Sequence, residues 1–245
     1  MKKAIFYFSP ELHVFLEPSR RQNPFEYEFT GPQSVKHLIE AAGVPHTEVS
    51  RVKVNGPPAG FETQVQNGDR VEVFSFLTGQ ENPSGRENGF DERSHPRFIL
   101  DNHLGKLASY LRMLGFDCLY RNDFHDAELA QLTLEQSRIL LTRDHRLLMR
   151  KAVLQGYWLR SQDPDRQLKE VLTRYALGSL VKPFQRCMRC NALLEPASKE
   201  TILHRLQPLT IQYFDEFRLC PACGQIYWQG SHYTKMLAFI ETTLA

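Results

Sequence analysis

The sequence predicts an α/β protein built of three successive parts: a mixed strand-and-helix domain, a parallel-sheet α/β domain and a cysteine-rich terminal module. Three observations predict this order. A stretch with loop composition follows residue 78, strands and single helices alternate over 96–178, and two CxxC pairs lie within 179–245. We therefore place domains at 1–78, 96–178 and 179–245, with a linker over 79–95.

Composition narrows the classes of protein. Hydrophobic residues make up 42% of the sequence and charged residues 24%, which excludes a disordered chain. The formal net charge of +2 excludes a polybasic protein that wraps nucleic acid. The apolar runs are far shorter than the ~20 residues that cross a bilayer, so we predict no membrane association. Glu11 and His13 interrupt the apolar start and no small-residue cleavage site follows, so we expect no signal peptide.

The first part reads as short strands around one helix. Ser34 is placed to cap a helix over 35–42, and Gly43 is placed to end it. An Asn-Gly turn follows one strand, and a Gly-Asp turn precedes the last. Aromatic and β-branched residues, or strict alternation, predict these strands: Ala4–Ser9, Leu12–Leu16, Phe25–Phe29, Val49–Val54 and Arg70–Phe74.

This order, with the motifs VKVNG and NGDRVEVF, resembles the β-grasp sulfur-carrier proteins of molybdopterin and thiamine synthesis, which are ubiquitin-like. The resemblance implies an N-terminal β-grasp (ubiquitin-like) domain over residues 1–78. Sulfur carriers end in a free Gly-Gly whose carboxylate is activated, whereas this segment continues through Leu77-Thr-Gly into the linker. We therefore expect a structural or docking domain that recruits a protein partner; a sulfur-transfer adaptor is a further interpretation.

Strands joined by single helices over residues 96–178 predict a parallel sheet covered by helices. Leucines recur at helical spacing from Leu104 to Leu114, and Gly115 can end that helix. The further predicted helices begin at Asp126, Arg146 and Asp163, the second of them running to Leu154. The predicted strands are Arg97–Leu100, Phe116–Tyr120, Arg138–Thr142 and Tyr157–Arg160.

Three aspartates are placed to meet at one edge of this sheet. Asp101 follows the first strand, Asp144 follows the third, and Asp126 begins the helix after the second. Because ligands bind at the carboxyl ends of parallel strands, we expect these side chains to converge. Converging carboxylates stay ionised at low cost only around a hard cation, so they predict a Mg²⁺ or Mn²⁺ site for phosphodiester hydrolysis. Taken singly, Asp126 can be a helix N-cap, and Asp101 and Asp144 can be turn formers.

The segments FILDNHLGKLASYLRMLGFDCLY, HDAELAQL and RILLTRDHRLLMRKA resemble the RNase domain named after the C-terminus of the Mut-seven exonuclease, a PIN-like nuclease family. The resemblance covers about residues 96–175 and places the family's acidic positions at Asp101, Asp126 and Asp144. It alone implies RNA, single-stranded or structured and non-coding, as the substrate. The family commonly carries a β-grasp domain in front and a zinc ribbon behind, the order predicted here.

Basic residues near the aspartates are candidates for contacting an RNA backbone, and they can equally be solvated helix faces. They are Lys106, Arg112, Arg143 and Arg146.

The two CxxC pairs, Cys187 with Cys190 and Cys220 with Cys223, predict one metal site. Two such turns complete a thiolate tetrahedron with no open position, which favours structural Zn²⁺ over iron or redox thiols. Asn191 and Gly224 follow the pairs and suit tight turns. The interval between the pairs has room for strands such as Thr210–Phe214, which fits a zinc ribbon. This cysteine usage suits a reducing, cytoplasmic location.

Basic and aromatic residues of the same module have two interpretations: they grip RNA, or the aromatic ones form the ribbon's small core. The residues are Arg186, Arg189, Tyr213, Phe217, Arg218, Tyr227, Trp228, Tyr233 and Lys235. Cys118 lies alone in a predicted strand, where a buried core position is expected.

Taken together, the sequence predicts a Mg/Mn-dependent ribonuclease with a β-grasp domain in front and a structural zinc ribbon behind. The alternative is a non-catalytic RNA-binding or adaptor protein that uses the β-grasp domain to recruit a partner.

Overall fold

The computed structural model describes residues 1–21, 24–76 and 95–244. The predicted linker, 79–95, lies outside the described residues except for its last position. The described residues form two compact units. The first unit contains residues up to 76 together with 125–159, and the second contains 95–124 together with 160–244. The units group the chain differently from the three predicted domains, and the domain boundaries stay a prediction.

Residues 1–76 form a mixed sheet with one helix, as a ubiquitin-like domain requires. The strands are β1 (Lys2–Phe8), β2 (Phe25–Phe29), β3 (Gln33–Ser34), β4 (Val49–Val54), β5 (Pro58–Ala59), β6 (Gln64–Val65) and β7 (Arg70–Ser75), and the helix is α1 (Val35–Ala41). The five-stranded sheet has the order β2-β1-β7-β4-β5, in which β1 and β7 are parallel and the other pairs antiparallel. β3 and β6 form a separate antiparallel pair.

Local sequence signals place α1. The Ser34 hydroxyl accepts the N–H of His37 at 3.2 Å, which confirms the predicted cap. Gly43 follows the helix with φ +106°, and a Cβ there would lie 2.6 Å from the Phe15 carbonyl oxygen. Glycine is therefore needed at position 43 for both its conformation and its lack of a side chain. The helix packs Val35, with Leu38 and Ile39, into the core of this domain.

The predicted strand Leu12–Leu16 is wrong, because this segment is a 3-10 helix over Pro10–Phe15. Pro10 occupies the first helical turn, where its missing N–H costs nothing. Leu12 and Leu16 are both buried. Their spacing of four is a helical period, which the aromatic and β-branched composition of the segment concealed.

From residue 97 the chain alternates strand and helix as predicted. The strands are β8 (Arg97–Leu100), β9 (Asp117–Tyr120), β10 (Ile139–Thr142) and β11 (Gly156–Trp158), and the helices are α2 (Gly105–Met113), α3 (Asp126–Glu135) and α4 (Pro164–Arg174). β8 pairs in parallel with β9 in the second unit, and β10 pairs in parallel with β11 in the first. All four residues of β10 are buried, as expected of a parallel strand covered on both faces.

The predicted helix from Arg146 to Leu154 is wrong; only a 3-10 turn, Leu147–Met149, forms there. Leu147, Leu148 and Val153 are the buried apolar residues of this stretch, and their spacing does not form one helical stripe.

The terminal module combines a small antiparallel sheet with three helices. The strands, in the order β12-β13-β14, are Glu195–Ala197, Phe217–Leu219 and Ile226–Trp228, and the helices are α5 (Lys199–Ile202), α6 (Pro208–Tyr213) and α7 (Ser231–Leu244). The strand predicted at Thr210–Phe214 is wrong. Pro208 starts a helix there, and the N–H of Ile211 donates to the Gln207 carbonyl. None of the helices among the described residues combines the length and apolar character that a membrane crossing requires.

Candidate functional site

The two CxxC turns have the same backbone geometry. The N–H of Asn191 donates to the Cys187 carbonyl at 2.9 Å, and the N–H of Gly224 donates to the Cys220 carbonyl at the same distance. Asn191 and Gly224 both lie in the left-handed region, with φ of 75° and 71°. Asn and Gly are the residues that tolerate this region best, which confirms the predicted tight turns.

The four cysteine sulfurs form one compact cluster. All four Sγ atoms lie within 4.8 Å of one another. The Sγ atoms of Cys190 and Cys220 are 3.3 Å apart and those of Cys187 and Cys223 are 3.6 Å apart, and all four are free thiols. Four thiolates at the ~2.3 Å Zn–S distance of a tetrahedral site stand roughly 3.8 Å from one another. The cluster therefore fits one four-coordinate metal ion with no position left for water.

The Tyr227 hydroxyl lies 3.2 Å from Cys187 Sγ. Burial alone would raise the pKa of the Cys187 thiol. Hydrogen bonds from this hydroxyl and from the N–H groups of Cys190 and Arg189 outweigh burial and lower that pKa to about 7. The same contact and the burial of the ring raise the pKa of Tyr227. These hydrogen bonds favour the thiolate form of Cys187, the form in which cysteine binds metals, whereas burial raises the pKa of the Cys190 thiol.

A buried arginine joins the first CxxC turn to α2 and β9. Arg112 is 4% exposed, and its guanidinium donates from Nε to the Cys118 carbonyl and from Nη1 to the carbonyls of Met188 and Arg189. Its N–H groups are directed at main-chain oxygens within the protein. This placement contradicts the predicted contact of Arg112 with substrate and gives it a structural role. Cys118 is buried, as predicted.

Asn191 adds a second connection between the same elements. Its side-chain amide donates to Asp117 Oδ1 and accepts the N–H of Cys118, both at 2.9 Å. Arg186 lies on the other side of Asp117, with Nη2 3.8 Å from Oδ2, and donates from Nε to the Gly115 carbonyl. Nothing in the sequence pattern pairs these residues, since the partners are about 70 positions apart.

Asp101 and Asp144 both lie in turns directly beyond a strand. Asp101 Oδ1 accepts the N–H of Asn102 at 2.6 Å. Asp144 Oδ1 accepts the N–H of Arg146 at 2.8 Å, and the N–H of Asp144 donates to Thr142 Oγ1 at 2.9 Å. Asp101 and Asp144 therefore do form turns, as the turn-forming interpretation of these two residues predicts. Main-chain N–H groups also fix the direction in which each carboxylate is held.

Asp126 is the first residue of α3, whose N-cap is His125. The interpretation of Asp126 as the N-cap is therefore wrong. Its carboxylate is 55% exposed, and Oδ2 lies 3.4 Å from the Arg150 guanidinium. Asp126 and Asp144 belong to the first unit and Asp101 to the second, so the convergence of the three carboxylates stays a prediction.

The remaining basic candidates are exposed. Lys106 places its Nζ 4.9 Å from the centre of the Tyr110 ring. Arg143 and Arg146 flank Asp144, and the Arg143 carbonyl accepts the indole N–H of Trp158 at 3.0 Å. Their contact with substrate stays a prediction.

The ubiquitin-like domain supplies contacts to the segment around Asp144 that sequence reasoning missed. The Phe15 ring lies 5.1 Å from that of Trp158 and 6.2 Å from that of His145, measured between ring centres. Glu48 accepts the main-chain N–H of Trp158 at 2.7 Å. Its neighbour His46, also buried, places Nε2 2.8 Å from the Val153 carbonyl oxygen. No local pattern signals these contacts, because they join residues about 100 positions apart.

The fold and the site together define a class of protein. Its members combine a ubiquitin-like domain, a parallel-strand α/β region with aspartates at strand ends, and a four-cysteine metal module. The family model described as Mut7-C RNAse domain matches residues 96–240, and the one described as Mut7-C ubiquitin matches residues 1–80. The first covers more than half of the sequence, so the chain belongs to the Mut7-C RNAse domain family. No curated protein and no solved structure gives a significant match.

The matches confirm the predicted family and the order of its domains. The RNAse match runs through all four cysteines. The metal module is thus part of the family's own domain, in agreement with the bonds that join it to α2 and β9.

Proposed function

We propose that this protein is a Mg²⁺- or Mn²⁺-dependent ribonuclease that hydrolyses RNA phosphodiester bonds, with Asp101, Asp126 and Asp144 holding the catalytic ion. The observation that carries the proposal is the RNAse-domain match over residues 96–240, which spans all three aspartates. The four cysteines would hold Zn²⁺ in a structural role, because their closed arrangement leaves no position for substrate or water.

The aspartates suit this task by their local geometry. Main-chain N–H groups orient the carboxylates of Asp101 and Asp144, which reduces the cost of ordering them around a cation. When bound, a divalent ion would polarise the phosphate and lower the pKa of a water molecule. Arg143 and Arg146 flank Asp144, where their exposed cationic groups would position the RNA backbone.

The ubiquitin-like domain has two proposed roles. Its contacts with Trp158 and His145 support the segment that carries Asp144. We also propose that this domain recruits a protein partner, because its family model is that of a ubiquitin-like domain. We further propose a cytoplasmic location, which is consistent with the four free thiols of the metal cluster.

The test is cleavage of an end-labelled, unstructured RNA by zinc-loaded protein, with Mg²⁺, with Mn²⁺ or without added divalent ion. Asp144→Asn should abolish cleavage, because it removes one negative charge from the ion's ligands and keeps the side-chain volume. Asp165→Asn is the matched control, since Asp165 is an exposed aspartate of α4 whose side chain accepts a hydrogen bond from Tyr110, and an asparagine oxygen can still accept it. If RNA is bound but cut by neither the wild type nor the control, the non-catalytic RNA-binding alternative replaces the proposal.

A further inference from the structure

The side chain of Trp228 lines two cavities of the metal module. It ends β14 and is 39% exposed, a large fraction for a tryptophan in so small a module. The inner edge of its ring lies over Gly230 and against Phe217, whose ring centre is 6.5 Å away. The indole is therefore held in place from within the module and remains partly open to solvent.

The first cavity that Trp228 lines is aromatic. Its volume is about 580 Å³, and Phe184, Tyr227 and Tyr233 are among its lining residues. The rings of Phe184 and Tyr233 lie 4.5 Å apart. Phe184 adopts φ +59°, which is costly for a bulky residue, and its carbonyl accepts a hydrogen bond from Arg218 at 3.1 Å. The side of the cavity that Phe184 and Tyr233 form is thus held in a defined conformation.

Two carboxylates and two guanidinium groups line the aromatic cavity. Arg186 and Arg218 are partly buried and donate to main-chain carbonyls. Asp215 and Glu216 are exposed and line the same cavity. Carboxylates repel phosphate groups but accept hydrogen bonds from the exocyclic amino groups of bases. The aromatic cavity therefore offers a base both a stacking surface and hydrogen-bond acceptors.

The second cavity that Trp228 lines is basic. Its volume is about 370 Å³, and Arg189 and Arg205 line it together with Gln207 and Thr210. Both arginines are exposed. Arg205 donates to the Gly224 carbonyl, and neither guanidinium has a carboxylate partner among the residues that the structure describes. Two guanidinium groups without counter-charges suit a phosphate group.

We infer that the metal module binds single-stranded RNA, with a base stacked on Trp228 at the aromatic cavity and a neighbouring phosphate between Arg189 and Arg205. An unstacked base with its neighbouring phosphate matches a partly exposed aromatic ring that lines both an aromatic and a basic cavity, because single strands are held by stacking on aromatic side chains beside basic groups. The choice of RNA rests on the proposed ribonuclease function. None of the three strand-end aspartates lines either cavity.

The test is the affinity of full-length, zinc-loaded protein for a fluorescein-labelled 2′-O-methyl oligocytidine 12-mer, whose bases carry an exocyclic amino group, measured by fluorescence anisotropy. This probe resists hydrolysis, so binding is measured without turnover. Trp228→Leu keeps an apolar cover over Gly230 and Phe217 and removes the stacking surface. It should weaken binding about ten-fold, which corresponds to ~1.4 kcal/mol and lies within the range for one stacked base. Tyr213→Leu is the matched control, because Tyr213 is an exposed aromatic residue of α6 that lines neither cavity.

The phosphate contacts of Arg189 and Arg205 are tested by measuring how the RNA affinity depends on salt concentration. Arg189→Ala and Arg205→Ala should each weaken binding and lower the slope of log affinity against log salt by about 0.7. Arg166→Ala, an exposed arginine of α4, should leave that slope unchanged. Arg189→Ala keeps the inference testable if Trp228→Leu lowers the zinc content, because the Arg189 side chain has no partner among the described residues. The inference is overturned if the Trp228 and Arg189 variants bind like their controls.

The outcome is independent of catalysis. If the wild type never cleaves RNA but binding depends on Trp228, the proposed function fails and the binding site stands. If the wild type cleaves RNA and Trp228→Leu binds the 12-mer unchanged, the binding site fails and the proposed function stands.

Discussion

Arg112→Met should loosen the first CxxC turn and weaken metal binding. The substitution retains the apolar stem of the side chain and removes the buried guanidinium that donates to three carbonyl oxygens. Each buried acceptor left without a donor costs ~1–3 kcal/mol, and two of the three belong to residues between Cys187 and Cys190. Allowing for water to replace one donor, we expect a loss of ~3 kcal/mol in the stability of this region. If the whole of this loss appeared in the free energy of metal binding, the affinity for Zn²⁺ would fall by roughly 100-fold.

The assay is competition for Zn²⁺ against a chromophoric chelator, with urea unfolding in parallel. Arg112→Lys should lose less than Arg112→Met, because an ammonium group can still donate to one or two of the carbonyls. Arg166→Met is the matched control, since Arg166 is exposed on α4. The reasoning is refuted if Arg112→Met gives the same zinc affinity and the same urea midpoint as Arg166→Met.

Three further predictions concern other parts of the fold. Gly43→Ala should destabilise the ubiquitin-like domain by ~1–3 kcal/mol in urea unfolding, since φ is +106° and the Phe15 carbonyl oxygen would lie 2.6 Å from the new Cβ; an unchanged midpoint would contradict this. Phe15→Ala should lower the urea midpoint and shift the emission of Trp158, the ring it contacts; identical spectra would refute the contact. Burial and a hydrogen bond to Asp165 raise the pKa of Tyr110 from 10.0 to about 12. This stabilisation is fully present below pH 10 and is lost as the pH rises through 12, so Tyr110→Phe should flatten the fall in stability between those values; an equally steep fall would contradict it.

Sequence reasoning was most successful where structure is determined locally. Ser34 and Gly43 at the two ends of α1 follow from capping rules, and the left-handed Asn191 and Gly224 follow from what a CxxC turn requires of the next residue. The alternation of β8 to α4 follows from hydrophobic periodicity. Each of these signals lies within a few residues of the feature it predicts.

The errors arise where short segments have ambiguous periodicity. Leu12–Leu16 and Thr210–Phe214 have strand-like composition, yet Pro10 and Pro208 start helical turns there. The stretch beginning at Arg146 contains enough leucine for a helix, but only its first residues close a 3-10 turn. In such short runs, tertiary packing decides between helix and strand.

Arg112 shows a different limit of prediction from the sequence. From the sequence, a basic residue on a helix after Asp101 is a reasonable phosphate contact. Its actual partners are carbonyls of the first CxxC turn, more than 70 positions along the chain. Only the fold brings them together, so no local pattern could separate this buried arginine from the exposed Arg143 and Arg146.

The bonds from Arg112 and Asn191 also affect how a nuclease assay must be interpreted. Asp101 lies between β8 and α2, in the same compact unit as the four cysteines, and those bonds join α2 and β9 to the first CxxC turn. Removal of Zn²⁺ should therefore disturb the elements next to Asp101 even if zinc takes no part in the chemistry. A chelator such as EDTA removes both kinds of ion, so loss of cleavage in EDTA does not by itself identify a carboxylate-bound ion. The discriminating experiment is dialysis that removes Mg²⁺ and Mn²⁺ but leaves zinc at one equivalent per chain: cleavage should then return with Mg²⁺ or Mn²⁺ alone and should stay absent in Asp144→Asn.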